Sequence, residues 1–141
     1  MLVVNATDVR KEWGSFIDSI VREKPKVIKR SRDYIFTASI DMLKEILKPY
    51  TFTVEIYKED DGTVTASLNE IDLVENASCE EEAIEKMAKS LIEYARDYYN
   101  EFQYWFSAPN RKSHLPYVLN VLLRDNIEEV KKLIKCLPGK N

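Results

Sequence analysis

Few residues of this 141-residue chain have the types and spacing that catalysis or metal binding requires. The sole histidine, His114, has no Asp, Glu or Cys at the spacing that would complete a metal site or a catalytic pair. Acidic runs at residues 59–61 and 80–82 contain the oxygen ligands of a divalent cation, but a turn and a helix start also explain them. With 3 glycines in total, no phosphate-binding glycine loop is present. The sequence therefore predicts no enzyme, no cofactor and no metal site.

The chemistry that the sequence does support is the binding of phosphate groups by cationic side chains near the N-terminus. Residues 1–49 contain 10 Lys or Arg against 7 Asp or Glu, whereas residues 50–141 contain 11 against 17. An overall charge of −3 thus combines a basic N-terminal part with an acidic remainder. The candidate phosphate-binding residues are Arg10, Lys11, Lys29, Arg30 and Arg32. For each of them the alternative is a solvated charge or an ion pair with Asp8, Glu12 or Asp33.

Short elements in residues 1–49 position these cations. Residues 2–4 predict a strand, and Asn5 can cap the helix that follows. That helix is indicated by apolar residues at helical spacing, and Pro25 ends it. The apolar residues are Ala6, Val9, Trp13, Phe16, Ile17, Ile20 and Val21.

A hairpin and a second helix complete this part of the chain. Residues 26–30 and 34–39 carry β-branched and aromatic side chains around the polar turn Ser31-Arg32-Asp33. Residues 42–47 predict a helix, which Ser39 or Asp41 can cap. A unit of this size has too little interior to fold well alone, so we expect it to dimerise and to present each cation twice.

The order of these elements resembles the N-terminal domain of the Phd/YefM antitoxin family. The resemblance rests on residues 6–10, the proline-containing turn, residues 27–30 and residues 38–41, and it covers about a third of the chain. It implies a dimeric DNA-binding repressor that also neutralises a toxin. It places DNA contacts on Arg10 and Arg30, supported by Lys11 and Arg32. In place of the disordered tail that is typical of the family, this chain has a long region of ordered appearance.

That region, residues 50–141, predicts a sheet that packs on a long helix. Residues 51–57 and 63–68 predict a hairpin whose turn contains Gly62, and residues 71–74 predict a weak third strand. Ser78 and Glu81 have the spacing of a capping box at the start of a helix. The apolar stripe of this helix runs as far as Trp105, before residues 107–110 end it. Hairpin, weak strand and helix together are faintly similar to the HicB-like antitoxin domain over about 50 residues.

Aromatic residues concentrate at the end of this helix, where residues 94–106 contain seven of them. One helix face cannot hide them all, so a toxin or a second protomer is one candidate for covering them. Burial in the core of the chain itself is the alternative. The candidate partner-binding residues are Tyr99, Phe102, Tyr104, Trp105 and Phe106.

In the C-terminal part of the chain, the sequence pattern does not decide the type of one secondary-structure element. Residues 115–123 fit either a core strand or a helix begun by Pro116, and the pattern slightly favours the helix. Residues 127–137 predict an amphipathic helix that Pro138 and Gly139 end. The fold class is therefore α+β: a small dimerisation domain at residues 1–49, then residues 50–141 as a three-stranded sheet on a long helix with a C-terminal helical segment.

The sequence indicates a cytoplasmic protein, because it contains no membrane-spanning apolar run and no charged-then-apolar leader. Its two cysteines, Cys79 and Cys136, lack framework spacing, which is typical of reduced thiols. The favoured hypothesis is a homodimeric type II antitoxin that binds operator DNA, represses its own operon and binds a cognate toxin. The alternative is an interaction or inhibitor module that dimerises but does not bind DNA. A third hypothesis is a metal-dependent nuclease that uses the acidic runs.

Overall fold

The computed structural model of the protein describes residues 1–139 and has an α+β fold, as the sequence predicts. The chain divides into two compact units, of which unit 1 ends at Ile46 and unit 2 begins at Leu47. Each unit has its own sheet and its own buried apolar cluster.

Unit 1 is a three-stranded sheet with two short helices on one face. Its elements are β1 (Val3–Asn5), α1 (Ala6–Lys11), α2 (Trp13–Arg22), β2 (Lys26–Arg30), β3 (Asp33–Thr37) and α3 (Ile40–Leu47), which continues into unit 2 by one residue. The strand order is β1-β2-β3, with β1 parallel and β3 antiparallel to β2. Ser39 caps α3, since its Oγ accepts a hydrogen bond from the Met42 amide at 3.2 Å.

The prediction of a single helix after β1 is wrong, because the chain leaves the helical conformation at Glu12 and forms two helices. This residue has φ −124° and ψ 48°, outside the helical region, and α2 starts at the next residue. The break redirects the apolar stripe, so that only Val9, Phe16 and Ile20 are buried. The stripe residues Trp13, Ile17 and Val21 are 59%, 40% and 53% exposed.

Unit 2 is a four-stranded sheet covered by helices. Its elements are β4 (Phe52–Lys58), β5 (Val64–Leu68), β6 (Val74–Ala77), α4 (Glu80–Asn100), α5 (Phe102–Ser107), α6 (Leu115–Leu122), α7 (Ile127–Lys131) and β7 (Ile134–Pro138), with a 3₁₀ turn at Lys112–His114. The strand order is β6-β5-β4-β7. Gly62 in the β4–β5 turn has φ +86°, which is the left-handed conformation that its position in the sequence predicts.

Three expected details of unit 2 are wrong. The third strand lies at Val74–Ala77 instead of 71–74, because Ile71 turns into the core and is 3% exposed. The capping box does not form: Cys79 is at the N-cap position, and Ser78 Oγ donates to the Glu82 carboxylate at 2.5 Å. The long helix is interrupted at Glu101, whose φ of −116° and ψ of 50° separate α4 from α5.

The C-terminal part resolves one alternative and corrects one prediction. Residues 115–122 form helix α6, so the slight preference for a helix is confirmed. The predicted helix over residues 127–137 ends at Lys131, and the chain then forms β7 in parallel register with β4. Without β7, strand β4 would lie at an edge of the sheet with unpaired amides, and pairing of the two strands satisfies these groups.

The core of unit 2 is closed and large compared with that of unit 1. Its largest fully buried side chains belong to Tyr98, Phe52, Met87, Leu91, Val54, Val118, Val130 and Asn120.

Among the helices of the described residues, none has the length and apolar character needed to cross a membrane.

Candidate functional site

Three of the five candidate phosphate-binding residues surround the β2–β3 turn of unit 1. Arg30 pairs with Asp33 across the hairpin, so the turn consists of Ser31 and Arg32. Ser31 has φ +55°, a left-handed conformation without the glycine that usually adopts it. Lys29, Arg30 and Arg32 are all exposed. The ammonium of Lys29 lies 5.6 Å from the ring centroid of Tyr34 on the adjacent strand.

Arg10 and Lys11 lie in the last turn of α1, whereas the sequence placed them in the early turns of a longer helix. Both are exposed, and Arg10 borders a small apolar pocket together with Ile28 of β2. Since side chains alternate along a strand, Arg30 lies on the same sheet face as Ile28. The fold therefore places Arg10 and Arg30 on the helix side of the sheet, and Lys29 on the opposite side.

None of these five cations has an ion-pair partner within the described part of the chain, so of the two alternatives to a phosphate contact only the solvated charge remains there. Lys26 is different, because its Nζ donates to Ser19 Oγ at 2.7 Å and lies 3.9 Å from a Glu23 carboxylate oxygen. Lys26 is thus tied to α2, while the five candidates are available for an external anion.

The sheet of unit 1 carries an apolar row that is only partly buried, on the face opposite α1 and α2. Val3, Val27 and Phe36 occupy one register row across the three strands. Val4 and Ile28 contact the cluster of buried residues under the helices, so the alternating residues of the row face the other way. Val3 and Phe36 are each 49% exposed. The sequence analysis missed this surface, although alternation within the strands could have indicated it.

The five candidate partner-binding residues are only partly available in unit 2. Tyr99 and Tyr104 are 62% and 66% exposed. Phe102 stacks on Phe106 at 5.2 Å between ring centroids, and Trp105 stacks on the fully buried Tyr98 at 6.3 Å. Burial in the core of the chain itself therefore holds for some of these rings, while two tyrosines are exposed and their contact with a partner stays a prediction.

His114 is a buried residue of unit 2. Its Nδ1 lies 2.7 Å from the Tyr94 hydroxyl, and it is 8% exposed. Burial lowers the pKa of His114 below its ordinary value, and the charge of Arg111 acts in the same direction. No group of His, Cys, Asp and Glu suited to a metal ion occurs among residues 1–139.

Comparison with known proteins agrees with the antitoxin resemblance. The family model described as "PHD_like: antitoxin of toxin-antitoxin, RelE / RelB, TA system" matches residues 1–136 and so spans both units. A crystal structure from Syntrophomonas wolfei subsp. wolfei, described as an antitoxin part of a proposed toxin/antitoxin system, is 41% identical with a TM-score of 0.91. The alignment covers 98% of this chain and 99% of that one. Among curated proteins, no significant match is found.

A family match over nearly the whole chain and a whole-length structural relative at this identity establish the class of the protein. The chain therefore belongs to the PHD-like family of antitoxins of toxin–antitoxin systems.

Proposed function

We propose that this antitoxin is of the Phd/YefM type and acts without catalysis in the cytoplasm. It binds operator DNA as a homodimer through unit 1, represses its own operon and neutralises a cognate toxin by contact with unit 2. The resemblance of residues 1–49 to the Phd/YefM domain supports the subtype, and the family match supports the toxin partner.

One observation carries the proposal of a homodimer: unit 1 buries only three apolar side chains, while an ordered row of apolar residues faces outward. The buried residues are Val9, Phe16 and Ile20, and the outward row is Val3, Val27 and Phe36. A domain of under 50 residues with so small an interior is rarely stable alone. A second copy that packs against the row supplies the missing interior.

Dimerisation gives the cations their function. Two copies of Arg10 and Arg30 on the helix side of the sheet present four guanidinium groups, each able to grip a phosphate or a guanine in bidentate fashion. Lys11 follows Arg10 in α1 and Arg32 lies in the turn after Arg30, while Lys29 lies across the sheet beside Tyr34. Phosphate contacts of this kind give salt-dependent affinity, since binding releases counterions from the DNA.

For the toxin, the exposed rings of Tyr99 and Tyr104 supply the anchors. Tyrosine buries a large area at little conformational cost and is common at interface hot spots. Trp105 contacts the ring of Tyr104 edge to face, at 5.3 Å between centroids, and itself stacks on the buried Tyr98, while Phe102 stacks on Phe106 in the same segment.

The test is binding of the purified full chain to a labelled fragment of its own upstream DNA, over a range of salt concentrations. We expect saturable binding, and we expect the logarithm of the association constant to fall linearly with the logarithm of the salt concentration. Arg10→Ala and Arg30→Ala each remove two contacts from a dimer, so each reduces the salt slope by about 2. Lys135→Ala, in the exposed strand β7, is the control and leaves the slope unchanged.

Failure of a folded dimer to bind this DNA, at any salt concentration and also with the toxin present, contradicts the repressor function. It would favour the alternative from the sequence analysis, an interaction or inhibitor module that dimerises through unit 1. Binding that all three variants leave unchanged would instead contradict the assignment of the two arginines.

A further inference from the structure

Strand β3 lies at an edge of the unit 1 sheet, because it stands last in the order β1-β2-β3 and pairs with β2. Its central residues Tyr34, Ile35 and Phe36 are large, and they are 62%, 55% and 49% exposed. Tyr34 and Phe36 lie on the face of the outward row, and Ile35 lies on the helix side. Both faces of the strand are therefore accessible at this edge.

The backbone groups of Tyr34 and Phe36 point away from β2. The Val27 amide donates to the Leu2 carbonyl at 2.9 Å, so the hydrogen-bonding groups of Val27 face β1 instead of β3. Val27 is opposite Phe36, and Lys29, two residues on, is opposite Tyr34. Because hydrogen-bonded and non-hydrogen-bonded pairs alternate in an antiparallel ladder, both of these pairs are of the non-hydrogen-bonded kind. The amides and carbonyls of Tyr34 and Phe36 thus face outward, and no hydrogen bond within the described residues uses them.

The other edge strands of the two sheets carry features that discourage pairing with a further strand. Strand β1 has only 3 residues, and β7 contains Lys135 and Pro138. In β6, the Lys86 ammonium donates to the Asn76 carbonyl at 3.0 Å. Short length, lysine, proline and coverage are common means by which proteins block an open edge. Residues 34–36 of β3 contain no charge, no proline and no bulge, so this edge is open to another strand.

The residues of β3 are complementary to a second copy of the same strand. In an antiparallel copy related by a two-fold axis at Ile35, that residue is opposite its own counterpart, Tyr34 is opposite Phe36, and Asp33 is opposite Thr37. This register gives every outward amide and carbonyl of Tyr34 and Phe36 a partner, and it leaves a non-hydrogen-bonded Ile35 pair at the axis. Aromatic residues then lie opposite aromatic ones and isoleucine opposite isoleucine, which stabilises a sheet, and no like charges are opposite each other.

We propose that β3 pairs edge to edge with β3 of a second copy, antiparallel and centred on Ile35, and that this contact joins two of the dimers proposed above. Edge pairing extends the sheet in its own plane, so it leaves the face with Val3 and Val27 free for the contact proposed there. The inference rests on the proposed homodimer only for the size of the assembly, since two dimers make four copies. An edge of 5 residues buries little area, so the four-copy assembly is favoured by high protein concentration.

Sedimentation of the full chain over a range of protein concentrations tests the edge contact. The variants are made at Ile35, because Phe36 belongs to both proposed contacts. Ile35→Lys places like charges opposite each other at the axis and leaves the outward row intact. We expect the original chain to change from two to four copies as its concentration rises. For I35K, we expect the dissociation constant of this step to be at least about 10-fold higher.

A mixture of two variants and a matched control sharpen the test. Ile35→Glu should weaken the step as I35K does, whereas I35K and I35E mixed should restore it, because opposite charges then meet at the axis. Restoration by the mixture also shows that both variants are folded. The control is Ile40→Lys, at a 54% exposed position of α3, which changes the charge equally and should assemble as the original chain does.

The outcomes distinguish the edge contact from the contact through the row. If I35K assembles as the original chain does, or if the mixture restores nothing, the edge contact is wrong and the homodimer through the row is unaffected. If the original chain reaches two copies and I35K only one, the edge pairing is itself the dimer contact and the row is wrong. An original chain that stays at one copy contradicts both. If I35K instead loses binding to the protein encoded beside it while its assembly is unchanged, a strand of that protein occupies the edge, which also overturns the inference.

Discussion

The hydroxyl of Tyr94 and Nδ1 of His114 lie 2.7 Å apart and join α4 to the 3₁₀ turn before α6. The nearby hydroxyl of Tyr98 donates to the Arg111 carbonyl at 2.7 Å. These two bonds hold the segment that follows α5 against α4. They therefore keep the aromatic segment, with Tyr99 and Tyr104, in a defined position on unit 2.

The buried histidine predicts that unit 2 loses stability in mild acid. Because burial lowers the pKa of His114 in the folded protein, the unfolded chain binds more protons once the pH falls below about 6.5. The free energy of unfolding is thus at its full value above that pH and decreases as the pH falls towards the folded pKa. Urea unfolding at about pH 7.5, 6.5 and 5.5, followed by the fluorescence of Trp105 in a Trp13→Phe background, measures this.

His114→Gln is the matched variant, since it keeps a polar side chain and cannot titrate. We expect it to remove most of the pH dependence between about pH 7 and 5.5. The carboxyl groups with lowered pKa values, Asp61, Glu82 and Glu85, contribute only at lower pH. An unchanged slope in His114→Gln would contradict the assignment.

Asn120 predicts a second stability effect, because it is fully buried and bonded on several sides. Its Nδ2 donates to the Leu47 and Tyr50 carbonyls at 3.2 and 2.8 Å, and its Oδ1 accepts from Arg124. Asn120→Ala leaves these groups without partners and should lower the free energy of unfolding by about 2–3 kcal/mol. Asn76→Ala, which removes two exposed hydrogen bonds to threonine side chains, is the control and should cost under about 1 kcal/mol.

The partly exposed row of Val3, Val27 and Phe36 in unit 1 predicts the dimer interface. Phe36→Glu places a charge at one end of the row that a second copy should cover, and an unpaired charge in an interface is strongly unfavourable. We expect it to shift the chain from dimer to monomer in sedimentation equilibrium and to abolish DNA binding. Val74→Glu, at a 62% exposed position of unit 2, should leave the dimer intact. A dimer that survives Phe36→Glu would exclude this face as the interface.

Two turn positions with positive φ predict stability changes of opposite sign. Ser31 has φ +55° and Gly62 has φ +86°. A left-handed conformation costs a residue with a Cβ about 1 kcal/mol relative to glycine. Ser31→Gly should therefore stabilise unit 1 by up to about 1 kcal/mol, and Gly62→Ala should destabilise unit 2 by a similar amount. Trp13 reports on the first unit and Trp105 on the second, so single-tryptophan variants separate the two changes.

Local patterns in the sequence are sufficient to predict the secondary-structure elements that depend only on neighbouring residues. The β2–β3 hairpin and the β4–β5 hairpin with Gly62 are predicted near their observed positions, and the pattern slightly favours the helix that forms over residues 115–122. Turn residues, strand alternation and helix periodicity act over a few residues, so they can be read without knowledge of the fold. The concentration of cations around residues 29–32 was equally visible in the sequence.

Contacts between residues that are distant in the sequence decided the remaining elements and the exposure of each surface. The amphipathic pattern of residues 127–137 is helical, yet β7 forms there because β4 lies alongside and offers its amides and carbonyls to a parallel partner. The breaks at Glu12 and Glu101 likewise arise within continuous helical patterns, and they decide which apolar side chains are buried and which face outward. A groove of about 750 Å³ in unit 2 requires α4, α6 and α7 to be packed together, so its acidic and basic lining residues are visible in the sequence only as scattered charges. Sequence alone thus determined the local elements and the class of chemistry, because both depend on residue type and short-range spacing. The tertiary structure alone decided which surfaces remain open to a partner, because exposure depends on what packs against each face.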